Sequence, residues 1–106
     1  MIKIDIFRNG DGMVSGYHVS GHSGTADRGE DIICAGVSAL VQSAFMGVRE
    51  HLHRGMRFEQ ASGDFTVELR SRPDELTEAI FASMLLGLRE IEKLSPEAVR
   101  ISEFRG

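Results

Sequence analysis

The chain has a single cysteine, Cys34, so no disulfide can form within it. That excludes the disulfide-stapled class of small secreted domains and fits a reducing cytosol. Positive charge is also scarce. Twelve Lys and Arg against 16 Asp and Glu leave a formal charge of −4. Phosphate affinity comes from clustered Lys and Arg, so a general nucleic-acid binder is excluded and no direct nucleic-acid partner is expected. An acidic balance this small suits a basic protein partner while steering it only weakly. No uninterrupted apolar run approaches the roughly 18 residues of a membrane span. Residues 2–6 alternate apolar with charged positions, unlike the apolar segment of a signal peptide. The chain reads as cytoplasmic, with no membrane partner.

What is present fits one domain over residues 1–106. Ile2, Ile4 and Ile6 alternate with Lys3, Asp5 and Phe7, a strand pattern. Asn9-Gly10-Asp11-Gly12 supplies turn residues, and Val14, Tyr17 and Val19 predict a second strand loosened by Gly16. Gly21 to Asp31 carries three glycines and almost nothing apolar, which predicts a mobile loop. Val37, Leu40, Val41, Ala44, Val48 and Leu52 then recur at helical spacing, with Gly55 as the capping glycine. Met56, Phe58, Phe65, Val67 and Leu69 predict a second hairpin turning at Ser62-Gly63-Asp64. Pro73-Asp74-Glu75 opens a second helix to about Lys93, and Val99, Ile101 and Phe104 form a last strand. The order ββαββαβ implies an α/β fold of the α+β type. It is a two-layer sandwich with two helices on one face of a mostly antiparallel sheet of about five strands. The order of strands within the sheet is not readable from this pattern.

The chemistry-bearing segment is Gly21-His22-Ser23-Gly24 through Gly29-Glu30-Asp31-Ile32-Ile33-Cys34 to Ser38. Cys34 stands where the glycine loop turns into helix, and so is expected in the first helical turn. Free N–H groups and the helix dipole there favour a thiolate, the nucleophilic form of the thiol. His22 ends the preceding strand twelve residues earlier, and a loop of that length allows its imidazole to return to the sulfur as a general base. Backbone amides near Cys34 are candidate oxyanion donors. Ser38 lies one turn on along the same helix face, and Asp31 is the carboxylate best placed to orient His22 or cap the helix. Residue types alone leave a second reading open, because a lone cysteine is more often a small buried hydrophobe than a nucleophile.

The Gly21-His22 pair, the loop to Gly29 and the run Glu30 to Ser38 resemble the ribosomal-processing cysteine protease family, often called Prp. The departures are Ser23 and Gly36, where alanine is the usual residue, and both keep a small side chain. The resemblance implies a catalytic His22–Cys34 dyad, with Asp31, Ser38 and Gly21 as supporting residues. It implies a homodimer with no metal and no cofactor. The substrate it implies is the precursor of a ribosomal protein, L twenty-seven of the large subunit, which loses a short N-terminal extension. Flexibility at Gly24 and Gly29 would let the loop admit an extended peptide and close over it.

Two other classes stand beside this one. One is a non-catalytic, ribosome-associated interaction module with a structural cysteine. The other is a thiol redox sensor, which would need an intermolecular partner because no resolving cysteine exists. A phosphate cradle is excluded, since no Gly-Lys-Ser/Thr follows the glycines. His51 and His53 point to different helix faces and are expected to be solvated rather than metal-binding. His18 is expected to be a solvent-facing strand residue. Met46, Met56 and Met84 are expected in the core or at a dimer face, and Phe45 and Phe81, beside their helices' main stripes, at a dimer interface.

Overall fold

The alternation at the amino terminus produces β1 (Ile2–Arg8), whose Ile2, Ile4 and Ile6 are all buried. Asn9 closes the turn, its side-chain oxygen accepting from the N–H groups of Asp11 and Met13 at 3.0 Å. β2 (Val14–Ser20) then returns antiparallel to β1. The next element is α1 (Arg28–Met46), continued by one π-helical turn over Gly47–His51. A hairpin of β3 (Met56–Ala61) and β4 (Asp64–Leu69) follows, then α2 (Glu75–Leu94) and β5 (Val99–Arg105). This computed structural model describes residues 1–21 and 28–106, with the side chains of α1 described from residue 32.

The strand order is β3-β4-β2-β1-β5. Three of the four pairings are antiparallel and β5 runs parallel to β1. The expected two-layer α+β sandwich with its ββαββαβ order is therefore the observed fold. The core lies between the inner sheet face and the helices. Tyr17 is its hub: the side chain is fully buried, edge-on to Phe81 at 5.6 Å and Phe65 at 6.2 Å. Its hydroxyl donates to the Val41 carbonyl at 2.7 Å, which satisfies the one polar atom and ties β2 to α1. Burial pushes the Tyr17 phenol well above its ordinary pKa.

α2 starts where Pro73-Asp74-Glu75 indicates. The Asp74 carboxylate accepts from the N–H groups of Leu76 and Thr77 at 2.9 and 3.0 Å, and Thr77 Oγ1 accepts from the Asp74 N–H at 3.0 Å. This reciprocal box satisfies three donors that would otherwise lack partners.

Four expectations need correction. α1 begins at Arg28, so Gly29, Glu30 and Asp31 belong to helix rather than loop. Gly55 is not the cap: the left-handed residue is His53, at φ 55°, because the π-helical turn closes the helix earlier. The Leu52 N–H donates to the Gly47 carbonyl and the Arg54 N–H to that of Val48, each at 3.1 Å. Phe45 and Phe81 are buried and not available to an interface. Phe45 is tilted over Phe58 at 4.7 Å and meets Phe65 at 5.5 Å, so the apolar stripe is wider than its main repeat. Finally, Ile32–His51 has a mean hydropathy of 1.5 over 20 residues, long and apolar enough by composition to cross a membrane. Counting only uninterrupted apolar residues overlooks it, since Gly36, Ser38, Gln42 and Ser43 interrupt the run. Its Val37, Val41, Ala44, Phe45 and Val48 are packed into the protein core.

Met56 and Met84 are core residues, while Met46 is exposed.

Candidate active site

α1 crosses the end of the sheet where β1 begins and β2 ends, and a cavity of about 200 Å³ opens between them. Its floor is apolar: Ile2, Val19, Val37, Val41 and Phe65. Polar groups come from two directions. Cys34, Ser38 and Gln42 descend from α1 at four-residue spacing, which stacks them along one helix face. Gln60, Ala61, Gly63 and Asp64 come from the β3–β4 hairpin.

Gly21 lies on the cavity wall between these groups. Its φ of +93° is a left-handed conformation that favours glycine, and an added Cβ would stand 2.3 Å from the Met1 carbonyl oxygen. Its N–H donates to the Gly63 carbonyl at 2.9 Å, fixing the end of β2 to the hairpin turn. Gly21 thus shapes the cavity wall through its backbone, at the residue directly before His22 in the sequence.

Cys34 is half-buried, packed against the core on one side and open to the cavity on the other. It is the seventh residue of α1, one turn deeper than the first-turn position expected for it. Its own N–H is therefore inside the i→i−4 ladder and is not a free donor, and the helix-dipole effect weakens beyond the first turn. This corrects the expectation that Cys34 lies in the first turn of the helix. Ser38 is exposed and lines the same cavity, as its spacing from Cys34 predicts. Among the described residues, the side chains of Ser38, Gln42 and Gln60 make no hydrogen bond. His22 and Gly24 lie outside the described residues, as does the side chain of Asp31.

Gln42, Gln60 and Asp64 are cavity residues that sequence reasoning missed. Gln42 was within reach, since it continues the four-residue series from Cys34 and Ser38. Gln60 and Asp64 depend on β4 pairing with β2, which is not written in local pattern. His18 is less idle than expected. Its Nε2 lies 3.1 Å from both Asp64 carboxylate oxygens and its Nδ1 is 4.0 Å from Asp5, joining β1, β2 and β4 beside the cavity rim. Among the described residues no cluster of three or more His, Cys, Asp or Glu is arranged to hold a metal ion.

The model of the cysteine protease Prp family matches residues 1–100. The chain belongs to that family. The ribosomal processing cysteine protease Prp of Staphylococcus aureus is 28% identical over 105 residues, covering 96% of this chain and 98% of the relative. A crystal structure of the essential ribosomal processing protease Prp from S. aureus, in complex with a covalently linked product peptide, matches with a TM-score of 0.88 at 25% identity. That match covers 98% of this chain and 100% of the other. A crystal structure of the S. aureus protease with a substrate peptide has a TM-score of 0.89 at 24% identity, over 98% of this chain and 100% of that one, and bears on the fold alone. As a Prp family member, the chain is a cysteine protease.

Proposed function

We propose that this Prp family protein is a cytoplasmic endopeptidase that processes a ribosomal protein, using Cys34 and His22 as its catalytic dyad. The observation that carries the reading is that Cys34, the chain's only cysteine, opens into the cavity at the end of the sheet. In this mechanism the Cys34 sulfur attacks the scissile carbonyl carbon, giving a tetrahedral oxyanion, while His22 holds the thiol proton. Collapse breaks the C–N bond, His22 delivers the proton to the leaving amine, and a thioester remains. Water, deprotonated by His22, then releases the new carboxylate and regenerates the thiol. Ser38, one turn below Cys34 on the same wall, offers a hydroxyl donor near the reacting carbonyl. The position of Gly21 on the cavity wall supports His22 as the partner, because a single peptide bond joins them.

The substrate in this reading is the precursor of ribosomal protein L twenty-seven, whose short N-terminal extension is removed. The S. aureus relative is named a ribosomal processing protease, which supports that class. The enzyme acts as a homodimer without metal or cofactor. Leu86 and Leu94 of α2, at 70% and 80% exposure, offer apolar surface for a second copy. Sedimentation equilibrium at twice the chain mass supports the dimer, and a monomer at micromolar concentration removes it.

The test is to incubate the protein with a peptide spanning the host's extension junction and to follow cleavage by mass spectrometry. Cys34→Ala and His22→Ala should each lower kcat/KM by about 10³-fold or more. Equal cleavage by wild type and Cys34→Ala overturns the assignment. Sluggish alkylation of Cys34, indifferent to His22→Ala, together with no proteolysis, would favour the structural-cysteine interaction module instead.

A further inference from the structure

β3 is an edge strand, paired only with β4. Its register fixes which of its backbone groups are free. The hairpin turns through two residues, so Ala61 and Asp64 form its closing hydrogen-bonded pair. The Arg70 N–H donates to the Gly55 carbonyl at 3.1 Å, placing pair 55↔70 in the same phase. Arg57 and Glu59 therefore face β4 with their N–H and C=O groups. Met56, Phe58 and Gln60 direct theirs outward, where the Met56 carbonyl accepts from Arg70 Nε at 3.4 Å and those of Phe58 and Gln60 face the open edge. Among the described residues the edge is open at Phe58 and Gln60: the register with β4 has no bulge, the strand has no proline, and both residues are exposed, between the charged Arg57 and Glu59.

The edge runs straight out of the cavity. Gln60 and Ala61 line it, and Phe58 is the next residue of the same phase. α1 follows alongside. Below Cys34, Ser38 and Gln42 come Phe45, tilted over Phe58 at 4.7 Å, and Arg49, whose guanidinium lies 4.8 Å from the Phe58 ring centre. Arg49 makes no ion pair among the described residues. A trough thus leads from the cavity, with an open strand edge on one side and a helix stripe on the other. From Gln60 to Met56 it spans four residues, about 13 Å at strand rise.

We propose that the substrate binds as an added sixth strand on β3. Its main chain pairs with the outward N–H and C=O groups of Gln60 and Phe58, and alternate side chains turn toward the surface formed by the Phe58 ring and the Arg49 guanidinium. The occupant is an extended peptide segment because the edge is continuous with the cavity that holds Cys34. Main-chain pairing supplies affinity without regard to sequence, and the aromatic–guanidinium surface at Phe58 supplies side-chain preference about two residues from the cavity. This rests on the protease reading above.

The test uses synthetic peptides spanning the extension junction, singly N-methylated at successive residues on each side of the scissile bond. Methylation removes a donor and blocks edge pairing. Along the segment occupying the trough, kcat/KM should fall about tenfold at alternate positions and change little at those between. A uniform response, or none, overturns the added strand. Gln60→Pro removes one outward N–H without breaking the β4 ladder, and should lower kcat/KM about tenfold while leaving iodoacetamide labelling of Cys34 unchanged. Unchanged kcat/KM in a folded Gln60→Pro protein also overturns it. As a second readout, peptide added to the Cys34→Ala protein should slow amide hydrogen exchange at Phe58 and Gln60, and the absence of that protection counts against the proposal. If no peptide is cleaved at all, the protease reading fails instead, and the exchange measurement still decides the edge.

Discussion

The two ends of β1 are built differently. At its carboxyl end Arg8 donates to Glu103 at 2.8 Å and to the Gly12 carbonyl at 2.8 Å, and stands 3.8 Å from Glu78. Glu78 in turn accepts from the Val14 N–H at 2.8 Å. Arg89 bonds both Glu103 and Glu92, and Glu92 accepts from the Ile101 N–H at 2.8 Å. Each of these charged groups meets another protein group. At the amino end, beside Ile2, Ser38, Gln42 and Gln60 surround an apolar cavity without a side-chain hydrogen bond among the described residues. Polar groups already bonded to the protein hold the fold, whereas those left open along a cavity are free for a peptide.

The sharpest test of that division pairs a core residue with the site cysteine. Phe81→Ala removes a fully buried ring that meets Tyr17 edge-on, and should cost about 3–5 kcal/mol by urea unfolding. Cys34→Ala removes a half-buried sulfur and should change stability by no more than about 1 kcal/mol while abolishing cleavage. If Cys34→Ala unfolds the chain as strongly as Phe81→Ala, the cysteine is structural and the division fails.

Gly21 lies on the boundary between the two kinds of region. Gly21→Ala imposes a left-handed conformation on a residue with a Cβ and drives that atom into the Met1 carbonyl, a cost of about 1–3 kcal/mol. Tyr17→Phe, which loses only the bond to Val41, should cost about 1 kcal/mol. The comparison is sharpened by measuring kcat/KM for both. Gly21→Ala should lose far more activity than its stability accounts for, because it also displaces the support next to His22. A proportional loss in both variants would make Gly21 purely structural.

These positions also show what was legible in the sequence. Alternation at Ile2, Ile4 and Ile6 and helical spacing at Val37, Val41 and Val48 mark faces that must be buried. Such patterns are local, so the elements and the sandwich could be read directly. Cys34 and Ser38 were legible for the same reason, being one turn apart on one helix. The depth of Cys34 in α1 was not, because Arg28-Gly29-Glu30-Asp31 reads as polar loop until the acids are seen as a helix start. Gln60 and Asp64 were invisible because they reach the cavity only through the pairing of β4 with β2, a contact between distant segments that no periodicity encodes. Phe45 was misread because a helix lying over a twisted sheet buries more than its central stripe.

Smaller effects belong to the bonded end and its neighbours. Asp74→Ala removes the cap that accepts from Leu76 and Thr77, and should cost about 1 kcal/mol with no change in kcat/KM. Thr77 N–H, and then Arg54, hold the Asp74 carboxyl below the usual carboxylate range. A loss of cleavage comparable to that of Gly21→Ala would show that the end of α2 communicates with the site, contrary to the division.

The last prediction concerns pH and isolates one carboxylate of the bonded end. Hydrogen bonds from Arg8, then Arg89, hold the Glu103 carboxyl below its ordinary pKa. Folding therefore favours the ionised form, and the unfolded chain takes up the proton first as pH falls. The contribution of Glu103 is fully present above the ordinary glutamate pKa and is lost as pH drops through the lower value of the folded state. Glu103→Gln should thus be less stable than wild type at neutral pH, and the two should converge in acid, once the pH has fallen through the folded-state pKa. Because the site is partly open to solvent, added salt should narrow the neutral-pH gap as well. Urea unfolding at both pH values and two salt concentrations reads all of this. A gap that ignores both pH and salt would show that Glu103 acts through packing rather than charge, and the bonded end would then owe its stability to shape.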